Sequence, residues 1–270
     1  MIAVFGVVIL FFMGIYFGSF FTLATYRLPK KENITHKHSY CPNCNHKLGI
    51  FDLVPVFSFL RLGGKCRYCK HPIGIRYFLF EILTGIVFVL FGLSLKIDIY
   101  SLSIENMLYV SLGILYITSL FLLAGIDKEQ HKIEKSVLYY QVFVSILYII
   151  YSCTFQNGNV YQYGIYLCIM SILILYETFS FRKNLKENNI FLIFIFILNM
   201  VIVTKEYIAI MTLLCTILSI GFENIIAYMK RPKSQKMIEK KRKTPIIFYL
   251  SVANIIMVIG NHFLINYMMK

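Results

Sequence analysis

Long apolar runs separated by short polar ones set the pattern of this chain. A helix needs about 20 consecutive apolar residues to cross a bilayer, and on that ruler the candidates are Ile2 to Ala24, Tyr77 to Leu95, Met107 to Ile126, Ser136 to Cys153, Tyr161 to Phe181, Ile190 to Thr204, Tyr207 to Tyr228 and Ile246 to Met268. The sixth is the shortest and is divided from the seventh only by Lys205 and Glu206. Merged, the two would be too long for one crossing, so they are read as separate spans. The pattern predicts an all-α polytopic membrane protein of about eight transmembrane helices, with one polar island between the first two. The expected parts are a first transmembrane helix over 1–26, a small polar loop domain over 27–76 and a seven-helix membrane domain over 77–270.

Charge tests the count independently. Lys and Arg number ten in the first loop, three in the third (Lys128, Lys132, Lys135), three in the fifth (Arg182, Lys183, Lys186) and eight in the seventh, so the odd loops hold 24 of 27. Basic loops stay in the cytoplasm, which predicts a multi-pass membrane protein with both termini outside. A hydrophobic fraction of 58% and a mean hydropathy of +0.69 exceed what one soluble core hides, so the lipid bilayer is the first partner. The net charge of +14 would suggest nucleic acid in a soluble chain, but here it follows topology, and no nucleic acid is expected. There is no tryptophan, so an interfacial aromatic belt has to come from the 20 tyrosines. The first apolar run lacks a basic n-region and a small-residue cleavage site and is read as a retained helix.

The polar island carries the chemistry that is easiest to read. Cys41-Pro42-Asn43-Cys44 and Cys66-Arg67-Tyr68-Cys69 are two C-x-x-C pairs with 21 residues between them, and each pair can supply two corners of a tetrahedron. Cys41, Cys44, Cys66 and Cys69 are therefore the expected ligands of a structural zinc ion. A reducing cytoplasm favours metal over disulfides, and Cys153, Cys168 and Cys215 lie singly in apolar runs. His46 or His71 could replace a thiolate, but four cysteines suffice. No internal repeat is evident in the sequence. Ionisable groups at span ends are costly and so informative: Glu81, Asp127, Glu177, Glu223 and, in the fifth loop, Glu187.

Gly18-Ser19-Phe20-Phe21 with Tyr26-Arg27-Leu28-Pro29, the two cysteine pairs, Leu53 to Leu60, Gly64-Lys65 and Ile73 to Arg76 with Tyr77 and Glu81 form an ordered set of motifs. This set resembles the first span and cytoplasmic domain of bacterial type IV prepilin peptidases. Asp127 followed after five residues by Ile133 resembles the D-x5-I-P block that holds that family's first catalytic aspartate, with Glu134 in the proline's place. Lys243 to Leu250 weakly resembles the entry to the family's last span.

The resemblance implies a membrane aspartic endopeptidase that cleaves leader peptides from type IV pilin-like precursors at the cytoplasmic face, serving pili or secretion. Family members often also methylate the new N-terminus from S-adenosylmethionine, and the retained first loop is compatible with that methyltransferase activity. One departure is serious: the family's second aspartate lies in a GxGD motif, which this chain lacks. The corresponding loop, Glu177 to Glu187, places Arg182 where the acid would stand. Asp127 and Glu177 are the expected catalytic carboxyls, with Glu187 and Glu223 as other candidates. The alternative is a catalytically inactive paralogue that binds precursors or assembly components.

Overall fold

A computed structural model describes residues 2–34, 38–95, 103–182, 189–229 and 244–268. The chain divides into two compact units, Met1–Ser103 and Ile104–Lys270. Among the described residues every regular element is helical, and the only β pairing is two isolated bridges, Tyr40 with Lys47 and Lys65 with Pro72.

In the first unit α1 (Ile2–Arg27) and α3 (Ile75–Ser94) pack along each other, joined by the cysteine loop and the short α2 (Phe57–Arg61). Small residues let the two backbones approach. A Cβ at Gly14 would stand 2.6 Å from the Thr84 carbonyl oxygen and 2.7 Å from the Gly85 Cα, and one at Gly18 would stand 2.9 Å from the Glu81 Cα. This is the small-xxx-small contact of membrane helices, where close van der Waals packing replaces the hydrophobic drive available in water. Phe17 fills the adjacent space against Phe21 and Phe88.

The second unit contains α4 (Ile104–Gln130), α5 (Lys135–Phe155), α6 (Val160–Arg182), α7 (Asn189–Thr204), α8 (Glu206–Met229) and α9 (Ile246–Met268). Both α5 and α9 pack on α4, α8 packs on α9, and α7 bridges α5, α6 and α8. Interhelical hydrogen bonds mark the interior: Tyr116 donates to Asn254 at 2.9 Å, Asn254 donates to Thr212 at 3.3 Å, and Ser145 donates to Asn199 at 2.7 Å.

Seven described helices are long and apolar enough to cross a membrane, and Ile190–Thr204 is a shorter apolar one. At about 1.5 Å per residue, the 16 residues of α7 reach roughly 24 Å, short of the ~30 Å hydrocarbon core. The break between α7 and α8 falls at Lys205, which takes a left-handed φ of 72°. The chain is thus an all-α, multi-pass membrane protein. The basic run at 230–243, Lys96, His36, Lys183, Lys186 and Glu187 lie outside the described residues.

Candidate functional site

The two cysteine pairs fold as two copies of one knuckle. In the first, the Cys41 amide donates to the His46 carbonyl at 3.0 Å and the Asn45 amide to the Cys41 carbonyl at 2.8 Å. In the second, Cys66 donates to His71 at 2.9 Å and Lys70 to Cys66 at 3.0 Å. Asn45 and Lys70, one residue beyond each pair, both turn the chain with positive φ, 56° and 60°. A C-x-x-C-x-H repeat is therefore present in the sequence, although no internal repeat is evident there: six residues are too few to register as one.

These turns bring all four Sγ atoms within 4.8 Å of one another, with Cys41 and Cys69 at 3.8 Å. Tetrahedral thiolates at about 2.3 Å from zinc stand a little under ~4 Å apart, so the donor set fits a closed four-cysteine centre. His46 instead lies against the Tyr68 ring, 3.6 Å between centroids. Backbone donors tune the thiols: the His71 amide, with Asn43, brings Cys69 down to about 6. At Cys44 the His46 amide pulls the same way, but burial and the neighbouring Cys69 and Cys41 outweigh it and push the thiol up to about 11. The Cys44 backbone holds Cys41 below the ordinary thiol range against burial.

A second feature of this unit is a strained turn. Val56 has φ 63° and ψ −54°, and the Phe57 amide donates to the Pro55 carbonyl at 2.6 Å, which makes a γ-turn of the rare positive-φ kind. For a β-branched residue this costs about 1–3 kcal/mol. The Val56 amide donates to the Glu81 carboxylate at 2.7 Å, and Ser19 of α1 also bonds that buried carboxylate. Glu81 stands out in the sequence for its position alone; nothing there announces the turn.

In the second unit Asp127 is buried near the C-terminal end of α4. Its Oδ2 accepts the Phe248 amide at 3.0 Å, and the Ile247 amide also faces it. Asp127 therefore caps the first turn of α9, which starts just after Pro245, and satisfies amides that have no partner within the helix. The Lys128 ammonium sits over the Phe248 ring at 4.3 Å.

Glu177, on α6, pairs with Lys135 at the start of α5, 2.6 Å from Nζ to Oε1, with Tyr139 at 3.5 Å. Glu223, on α8, accepts from the Tyr249 hydroxyl, so it meets the same first turn of α9 that Asp127 caps. The carboxyls thus have different partners: Asp127 the α9 amides, Glu177 the α5 lysine. Glu187 and the Arg182 side chain lie outside the described residues.

The sequence pattern of the Bacterial Peptidase A24 N-terminal domain matches residues 12–95. The prepilin leader peptidase/N-methyltransferase of Myxococcus xanthus is 41% identical over 81 residues, 30% of this chain and 24% of that one. The protein of the same name from Klebsiella pneumoniae is 34% identical over 126 residues, 44% of this chain and 51% of its own, and that of Bacillus subtilis 38% over 93 residues, 33% and 38%. The chain spans about half the length of these relatives or less. No solved structure matches it. The matched residues contain both cysteine knuckles, the strained turn and most of the helix pair that holds them, and over that unit the chain is similar to the bacterial prepilin leader peptidases.

Proposed function

We propose that this chain processes type IV pilin-like precursors at the cytoplasmic face of a bacterial membrane, with the zinc loop inside and both termini outside. The asymmetry of 24 of 27 basic residues in odd loops supports that orientation. The reaction is leader-peptide cleavage, with Asp127 and Glu177 as the two carboxyls. One, as base, takes a proton from water while the oxygen attacks the scissile carbonyl carbon. The other, protonated, gives its proton to the carbonyl oxygen, and the C–N bond then breaks as the leaving amine takes up a proton.

The observation that carries this reading is Asp127, a carboxylate only 6% exposed at the end of a membrane helix and held by backbone amides rather than by a cation. The cysteine loop would be the structural support, with zinc held by Cys41, Cys44, Cys66 and Cys69 and no open position for water. Methylation enters through the relatives' names. Among the described residues no built site for S-adenosylmethionine stands out, and no residue is given a part in that reaction.

The test is cleavage of a pilin-type precursor by membranes containing this chain, against Asp127→Asn and Glu177→Gln. Loss in both variants is expected, and cleavage that survives Asp127→Asn refutes the aspartic mechanism. A second reading, a non-cleaving paralogue that binds precursors, is favoured by one feature: no GxGD is present and Glu177 is already paired with Lys135. Co-purification of uncleaved precursor with the wild-type chain, and no cleavage, would establish it.

A further inference from the structure

We propose that residues 50–60 of the cysteine loop dip into the bilayer beside α1 and α3, with the bend at Val56 and the Phe57 ring at the deepest part and Glu81 as the internal partner that makes the insertion possible. This goes beyond the proposed activity and does not depend on it.

Helix register fixes the depth. Within this unit Gly18 lies against Glu81 and Thr84, Gly14 against Gly85, and Leu10 against Gly92, so α1 and α3 run antiparallel and the depth of one fixes that of the other. Glu81 is six residues into α3, about 9 Å beyond its start. The Val56 amide reaches it there. Phe57 goes further: its ring stacks on Phe12 of α1 at 6.5 Å and 13°. Phe12 lies 15 residues before Arg27, about 22 Å along a helix whose hydrocarbon span is ~30 Å. Phe59 in turn stacks on Phe78 of α3 at 4.9 Å.

The bend finds its hydrogen-bond acceptors within the protein. Irregular chain is tolerated at membrane depth only where its polar groups are satisfied by protein. Pro55 has no N–H, Phe57 donates across the γ-turn to Pro55, and Val56 donates to the carboxylate, so no N–H at the bend is left without an acceptor, and the Pro55 and Val56 carbonyls accept from Phe57 and Leu60. A carboxylate buried between two membrane helices is costly and is not explained by packing. As the acceptor for a turn inside the membrane it has a function.

The segment also presents an apolar surface. Ile50, Phe51 and Leu60 are 84%, 71% and 61% exposed, with Leu53 and Phe57 also open. A patch of this kind is a liability in water and normal against acyl chains. Cations follow it at Arg61 and Lys65, where anionic headgroups would meet them, while Arg67 neutralises the segment's own carboxylate, Asp52, at 2.8 Å. The occupant is the lipid of the membrane that α1 and α3 already cross.

The chain has no tryptophan, which makes the test direct. Phe57→Trp and Phe51→Trp are placed one at a time in the full chain, reconstituted in vesicles containing anionic lipid, with Lys47→Trp on the first knuckle as the aqueous control. Ile50→Trp and Leu60→Trp repeat the measurement from positions outside the Phe12 stack, and bound zinc reports that each variant folds. Expected is a blue-shifted emission at 57 and 51, mostly lost when the acyl chains are brominated and unmoved by iodide, with the opposite behaviour at 47. Adding Glu81→Gln to Phe57→Trp retains an acceptor and leaves the quenching as it was, whereas Glu81→Leu shifts it toward shallower bromines. Iodide quenching at 51 and 57 without effect of the bromolipid overturns the insertion, and unchanged depth in Glu81→Leu overturns the role of the carboxylate.

Discussion

Replacing Gly14 by alanine tests the contact on which the first unit is built. The added Cβ meets the Thr84 carbonyl oxygen at 2.6 Å and the Gly85 Cα at 2.7 Å, both of them backbone, where ordinary contacts begin near 3.4 Å. No rotamer change relieves it, so α1 and α3 have to separate by about 0.8 Å, and overpacking of this kind costs about 1–3 kcal/mol. Gly18→Ala meets a different obstacle, the Thr84 Oγ1 at 2.1 Å, a side-chain atom that also bonds the Phe80 and Glu81 carbonyls. Thr84→Ala should therefore recover part of the loss from Gly18→Ala, leaving the 2.9 Å approach to the Glu81 Cα, and none of the loss from Gly14→Ala. The assay is SDS titration in mixed micelles, with unfolding followed by far-ultraviolet circular dichroism for the single and double variants. A Gly14→Ala chain as stable as the parent, or one rescued by Thr84→Ala, would refute the close helix contact.

The purified chain is expected to hold one zinc, with Zn–S distances of about 2.3 Å by X-ray absorption and no nitrogen ligand; a nitrogen from His46 or His71 bound to the metal would contradict the closed cluster. In the metal-free protein Cys69 should be the first thiol alkylated near neutral pH, with its rate falling through about pH 6, and mass spectrometry of the labelled peptides checks this. The linkage follows the same sign: stabilisation by the depressed Cys69 thiolate is full above the ordinary thiol range and lost as pH falls through about 6. That from the raised Cys44 thiol is full below the ordinary range and lost as pH rises through about 11. For topology, a cysteine engineered near Lys240 should be protected from a membrane-impermeant reagent in intact cells, and ready labelling there reverses the proposed orientation.

Much of the fold was legible because the bilayer enforces it. Apolar length gave the spans, and even the weak one was marked, since Lys205 and Glu206 stand where α7 gives way to α8. The cysteine cluster was legible because C-x-x-C spacing nearly determines a knuckle. The joint between loop and helices was not. Val56 reads as an ordinary strand or helix residue, and its positive φ is imposed by contacts 25 residues away at Glu81. The surroundings of the carboxyls were equally hidden. Nothing near Asp127 in sequence points to Phe248, which is 121 residues distant, and nothing near Glu223 points to Tyr249. Such pairings depend on which helices are neighbours, and an apolar pattern that is nearly uniform around each helix does not specify that.

Those pairings bear on how cleavage could be divided between two acids. Backbone amides and a lysine ammonium are both partners that a charged carboxylate takes, so on the proposed reading each acid begins in a satisfied state and one has to exchange its partner when substrate arrives. The two are unequal in this. The donors to Asp127 belong to the backbone of α9, whose first turn is also fixed through Tyr249 to Glu223, so they cannot swing away, and losing the carboxylate would leave them without an acceptor. Glu177 is held by a single flexible side chain, Lys135, and by a longer contact to Tyr139. Lysine can leave by rotating its own bonds. On the proposed reading the base is then Asp127, which keeps its amides throughout, and the proton donor Glu177, whose lysine can rotate away as a precursor helix enters. In this arrangement the long side chain of Glu177 is an advantage, because the acid that exchanges partners is also the one with reach to move.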